Sequence, residues 1–141
     1  MIVLDTNVLS EPLRRHPDPA VLAWLAAVAE PTAVTSVSVG ELLTGVRRLP
    51  DGRRRDDLHG AIEEVLDEFG TRVLPYDARA APRYAVMQQR RREAGRPLST
   101  EDGMIAAICA AHDAVLATRN TADFELLGIA VTNPWEDVGS R

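Results

Sequence analysis

The chain opens on a continuous apolar run, Met1 to Leu4, that stops at the polar triplet Asp5-Thr6-Asn7. A short run of this kind predicts a strand buried on both faces and followed by a turn. Asp18-Pro19 predicts a helix start, with a capping acid and then proline at the first position, and the helix carries Val21, Leu22, Trp24, Leu25 and Val28. Thr32 to Ser36 reads as a second strand. Ser38 then opens a helix through about Leu49, with Val39, Leu42, Leu43 and Val46 along one stripe. Pro50-Asp51-Gly52 breaks that helix, and another amphipathic one runs to Phe69, where Gly70 ends it. Strands are predicted over 72–75, 115–118 and 129–132, and a helix over 78–94. After a loop over 95–100, Ser99 or Thr100 caps the next helix.

Strands alternating with helices predict an α/β fold, a parallel central sheet with helices on both faces. The 141 residues, 45% hydrophobic and 26% charged, suit one domain spanning 1–141, and no internal repeat or linker divides them. A single cysteine forms no intramolecular disulfide. No apolar stretch approaches a membrane span, and the opening residues lack a basic leader, so the expected location is cytoplasmic.

Charge narrows the chemistry. All 16 Lys+Arg residues are arginine. The absence of lysine excludes P-loop phosphate binding, Schiff-base catalysis and Ser-x-x-Lys acylation. The net charge of −5 speaks against a general nucleic-acid coat. Two local basic patches nevertheless stand out, Arg47, Arg48, Arg53, Arg54 and Arg55 in one and Arg90, Arg91, Arg92 and Arg96 in the other. Either patch is a solvated surface or a landing place for a polyanion.

Ligands of a parallel sheet sit beyond the carboxyl ends of its strands, so polar residues there are the candidates. Asp5 directly follows the first strand, Glu41 shortly follows the second, Asp102 heads the helix before the fourth, and Asp123 follows that strand. Four carboxylates converging at one rim would repel one another unless a proton or cation lay between them, and hard oxygen donors suit Mg²⁺ or Mn²⁺. Such a centre activates water and steadies the leaving oxygen of a phosphodiester. Each acid also has a structural reading. Asp5 caps a turn, Asp102 fits a capping box with Ser99, and Asp123 is a first-turn acid of a short helix. Helical phasing puts Glu41 about 200° from Val39, which favours a solvated face. Periodicity does not choose between Glu101 and Asp102.

Other constellations are weaker. Cys109 and His112 share a helix face, but a buried thiol in an Ala-rich helix is the simpler reading. The three histidines lack zinc-ligand spacing, and Asp5-Thr6-Asn7 lacks the second acid of a dehalogenase-type phosphatase. Trp24 and Trp135 read as core or dimer-contact residues.

Four ordered stretches carry a resemblance. They are Val3-Leu4-Asp5-Thr6-Asn7-Val8-Leu9-Ser10-Glu11-Pro12-Leu13, Ser36-Val37-Ser38-Val39-Gly40-Glu41-Leu42, Asp102-Gly103-Met104-Ile105-Ala106-Ala107 and Ala117-Thr118-Arg119-Asn120-Thr121-Ala122-Asp123-Phe124, with Asn133-Pro134-Trp135 after them. Together they resemble PIN-domain nucleases, particularly the FitB-like branch of VapC-type toxins, over essentially the whole chain. The resemblance implies a metal-dependent endoribonuclease that uses Mg²⁺ or Mn²⁺ and is the toxin of a toxin–antitoxin pair. It implies a homodimer that joins its antitoxin in a heterotetramer or larger assembly and reaches operator DNA only through that partner. It maps an acidic quartet onto Asp5, Glu41, Asp102 and Asp123, with Asp5 and Asp102 as the main metal ligands, and thereby prefers Asp102 to Glu101. The rival readings are a non-catalytic PIN-like module binding RNA or protein, and a small-molecule phosphatase of similar fold.

Overall fold

The computed structural model describes residues 1–136. Five strands, β1 (Ile2–Leu4), β2 (Thr32–Thr35), β3 (Val73–Leu74), β4 (Val115–Ala117) and β5 (Val131–Thr132), form one sheet in the order β3-β2-β1-β4-β5. Every neighbouring pair is parallel. Six helices flank it: α1 (Thr6–Ser10), α2 (Pro19–Ala27), α3 (Ser36–Arg47), α4 (Arg53–Phe69), α5 (Ala81–Glu93) and α6 (Thr100–Ala111).

Both faces of the sheet are covered, as the alternation along β1 shows. Ile2 and Leu4 pack with Trp24, Leu42, Val46 and Ile62 of α2, α3 and α4. Val3 points the other way, into Met87, Ile105, Ala106 and Ile108 of α5 and α6. A strand buried on both sides has no use for polar residues, which is why its sequence is an unbroken apolar run.

Helix boundaries follow local capping chemistry. Asp18 Oδ1 accepts from the Ala20 amide at 2.8 Å, with Pro19 in the first turn as expected. Ser99 caps α6 by accepting from the Asp102 amide at 3.1 Å. Gly70 ends α4 with φ at +52°, a backbone angle that costs glycine little. Helix α3 begins two residues before the expected Ser38. The last strand residue, Thr35, is buried and doubles as the cap, its hydroxyl accepting from the Ser38 amide at 3.1 Å. Asp5-Thr6-Asn7 is likewise more than a turn, because Asp5 caps α1 and a 3₁₀ turn (Glu11–Leu13) continues from it. The buried Glu11 carboxylate then accepts from the Asp18 amide at 3.0 Å and fixes where α2 starts.

The strand order places the site. From β1 the chain moves to β2 and β3 on one side, then returns to lay β4 and β5 on the other. The reversal leaves a crevice beyond the carboxyl ends of β1 and β4, where ligands of open parallel sheets bind. Among the described residues, no helix is long and apolar enough to cross a membrane.

Candidate functional site

Asp5 stands in that crevice, 6% exposed, at the end of β1. Its Oδ1 accepts from the Thr6 amide at 2.8 Å. Its Oδ2 accepts from the Thr118 hydroxyl at 2.7 Å and from Asn7 Nδ2 at 3.4 Å. The Thr118 oxygen in turn accepts from the Asn120 amide at 3.1 Å and from Asn7 Nδ2 at 3.4 Å. With amide donors on that oxygen, its own proton is directed at Asp5. Asn7 is oriented as well, because its Oδ1 accepts from the Arg119 amide at 3.2 Å. One carboxylate is thus held from the ends of two strands 113 residues apart.

Glu41 lies on the exposed rim of α3, and its Oε1 accepts from the Thr6 hydroxyl at 2.9 Å. Glu41 is exposed, as its phasing predicts, and the solvated face it occupies adjoins Thr6 at the crevice. Phasing located Glu41 away from the core stripe, but α3 rises directly from the end of β2, so its early turns border the crevice. Asp102 is half-buried on the first turn of α6, whereas its neighbour Glu101 is exposed. Asp123 is exposed on a 3₁₀ turn (Thr121–Phe124) after β4.

These acids act on one another. Burial pushes the Asp5 carboxyl above the ordinary aspartate range, and the charge of Asp123 adds to it, while the bonds from Thr118, Thr6 and Asn7 offset only part. Burial also raises Glu41 against its bond from Thr6, with Asp5, Asp102 and Glu101 pushing the same way. Asp102 is raised by burial and by Asp5, Asp123 and Glu101, against the hydrogen bond from Ser99. Among the described residues, none of Asp5, Glu41, Asp102 and Asp123 carries an ion pair. No group of three or more His, Cys, Asp or Glu side chains among the described residues is already drawn together around a metal position. The donors are all carboxylate oxygens without a cationic partner, and a hard divalent cation suits their chemistry.

A groove of about 1280 Å³ meets the site at Thr6 and Glu41 and runs between α3, α4 and the segment following α1. Arg14, Arg15, Arg53 and Arg54 line it. The first basic patch therefore splits, since Arg55 turns to Asp51 in an ion pair while Arg53 and Arg54 border the groove. The second patch splits as well. Arg91 is buried and Arg96 pairs with Glu125 at 2.8 Å, whereas Arg90 and Arg92 stay exposed. Counting charges along the chain did not separate these roles.

Thr6, Asn7 and Thr118 stand in the quoted motifs, but their part in holding Asp5 and Glu41 was not read from them. The signal available was a polar residue at the end of each of two apolar strands. Cys109 is buried, and burial pushes its thiol up to about 12, which leaves it unreactive at neutral pH. Trp24 belongs to the core, and half-buried Trp135 packs against the same cluster under the Arg119 guanidinium, 5.1 Å from the ring centre.

Residues 2–128 match the family profile described as PIN domain. The chain is 42% identical over 138 residues to VapC ribonuclease Y4jK of Sinorhizobium fredii, covering 96% of this chain and 99% of that protein. It is 40% identical over 139 residues to Toxin FitB of Neisseria gonorrhoeae, covering 97% of this chain and 100% of that one. The crystal structure of FitAcB from Neisseria gonorrhoeae superposes with a TM-score of 0.91 at 39% identity, over 96% of this chain and 99% of that one.

Proposed function

The chain belongs to the PIN-domain family, and from that membership and the geometry of the rim we propose that it is a Mg²⁺- or Mn²⁺-dependent endoribonuclease. It is the toxin of a toxin–antitoxin pair, held inactive by a cognate antitoxin, as its likeness to a FitB toxin supports. The observation that carries the reading is the buried, braced carboxylate of Asp5 in the β1–β4 crevice, with Glu41, Asp102 and Asp123 near enough for their charges to act on it or be acted on by it.

In this reading Asp5 and Asp102 hold the divalent ion, and Glu41 and Asp123 complete the acidic set. When bound, the ion supplies Lewis acidity toward a phosphodiester oxygen and makes a nucleophile of water at neutral pH. The chain's own groups do the positioning. Thr118, Asn7 and the Thr6 amide hold both oxygens of Asp5, so no rotamer search precedes catalysis. Thr6 ties down Oε1 of Glu41 and leaves Oε2 without a partner among the described residues, available to orient the attacking water. Four acids without cations repel RNA, so substrate approaches only where their charge is compensated.

The reading is tested by incubating partner-free protein with a labelled RNA and with a simple phosphate monoester, each with Mn²⁺ or with chelator. The expected outcome is endonucleolytic RNA cleavage that chelator abolishes, with the ester untouched. Binding of RNA without cleavage favours a non-catalytic module, and turnover of the ester alone favours a phosphatase.

Arg53 and Arg54 are assigned to RNA phosphates along the groove. Replacing both with alanine is expected to make the dependence of log binding constant on log salt shallower by roughly 1.4, because about 0.7 counterion per single-strand phosphate contact is no longer released. The rate on saturating RNA should stay within two-fold. Filter binding at several salt concentrations measures this, and an unchanged slope would assign the two arginines to the antitoxin or to solvent.

A further inference from the structure

Arg91 lies in a run of three consecutive arginines on α5, yet it is 5% exposed and meets no carboxylate among the described residues. Backbone carbonyls take its protons instead. Nε donates to the Arg96 carbonyl at 2.8 Å and Nη2 to the Pro97 carbonyl at 3.3 Å. Nη1 donates to the Asp123 carbonyl at 2.8 Å and to the Glu125 carbonyl at 3.4 Å. Arg96 braces the same gap from outside, with Nη1 on the Glu125 carboxylate at 2.8 Å and Nη2 on the Ala122 carbonyl at 3.2 Å.

The two segments joined this way are the ones that carry two of the acids. Pro97 is two residues before Ser99, which caps the helix bearing Asp102. The Asp123 carbonyl belongs to the acid itself. A buried guanidinium without a counter-ion is expensive, and an apolar side chain on α5 would fill the space more cheaply. It would leave these carbonyls without the donor that joins them. Only a planar fork with five N–H groups reaches both segments at once, whereas lysine offers three donors from one point.

We propose that Arg91 is a positioning residue of the catalytic centre, setting the placement of Asp123 relative to Asp102 and through it the affinity for the divalent ion. It touches neither carboxylate, so it acts only through the main chain. The proposal rests on the reading of the four acids as a metal-dependent site.

The test uses the full chain, freed of partner and of divalent ions, as wild type, Arg91→Lys, Arg96→Ala, Asp5→Asn and, as a control on the same helix, Arg83→Ala. Mn²⁺ affinity is read from the electron paramagnetic resonance signal of the free ion, and kcat and KM on RNA are measured well below each melting temperature. Folded Arg91→Lys should bind Mn²⁺ roughly 10-fold more weakly and lose kcat by a similar factor, the scale on which groups orienting metal ligands act. Its KM should stay within two-fold, and Arg83→Ala should change nothing. Arg96→Ala, which cuts only the exposed half of the brace, should move Mn²⁺ affinity and kcat less, in the same direction. It decides the matter alone if Arg91→Lys does not fold. Lower melting with wild-type Mn²⁺ affinity and kcat in these variants would overturn the proposal and leave Arg91 a purely structural group. Failure of the underlying reading is distinguishable, because then wild type binds no Mn²⁺ or Asp5→Asn binds it equally well, and the proposal falls with it.

Discussion

Asp5→Asn is expected to cut RNA cleavage by about three powers of ten while leaving the fold in place. The size follows from the several kcal/mol of charge stabilisation that a divalent ion contributes to the transition state, at 1.36 kcal/mol for each tenfold in rate. The fold should survive because the change is nearly isosteric. The oxygen facing the Thr6 amide at 2.8 Å persists. An amide nitrogen in place of Oδ2 gives up the bond from the Thr118 hydroxyl, whose oxygen already accepts from the Asn120 amide and Asn7, and the long one from Asn7 at 3.4 Å. That loss is of the size single substitutions usually cost, about 0.5–3 kcal/mol against the roughly 5–15 kcal/mol of a typical domain. Removing the buried charge also removes its repulsion with Asp123. Single-turnover cleavage alongside far-ultraviolet circular dichroism measures both effects. A folded variant that cuts RNA within tenfold of wild type would remove Asp5 from the catalytic centre.

The residues that made Asp5 conspicuous are those that place it at the end of β1. An unbroken apolar run announces a strand buried on both faces, and an acid immediately after it lands where the sheet opens to ligands. The helices at Asp18-Pro19, up to Gly70 and after Ser99 were legible because their caps are local chemistry, complete within a few residues. What the chain concealed depends on longer range. Helical phase shows which side of α3 meets the core but not which end of the sheet lies beneath it, so Glu41 read as a solvated acid. Thr118 braces Asp5 only because β4 lies beside β1, an adjacency set by the strand order β3-β2-β1-β4-β5. Thr35 hid the start of α3 by serving as strand residue and cap together. In the run Arg90 to Arg92, a buried brace and exposed neighbours carry the same letter.

The likeness to VapC and FitB proteins speaks to the whole fold and its activity class, while the individual acids stand on the geometry of this chain. Of the four, Asp102 allows the sharpest test, since its structural and metal-binding readings predict opposite signs. As a plain helix-terminal acid, its charge would stabilise α6 by roughly 0.3–1 kcal/mol, and Asn would lose that. In the folded chain, however, its pKa is raised above the ordinary 3.8, with burial the largest cause and the other acids adding to it. A carboxyl raised on folding contributes stability that is fully present below its unfolded value and is lost as pH rises through the folded one. At neutral pH the ionised group is therefore a cost to ion-free protein, which Asn relieves.

The decisive measurement is the melting temperature at pH 7 of partner-free wild type and Asp102→Asn, each in chelator and across a Mn²⁺ titration. In chelator, Asp102→Asn should melt no lower than wild type. At about 100 times its dissociation constant, Mn²⁺ should add about 2.7 kcal/mol to wild type, or roughly 8 °C, and little to the variant. A variant that melts lower in chelator yet gains the full Mn²⁺ increment, or a wild type that gains none, would contradict the account.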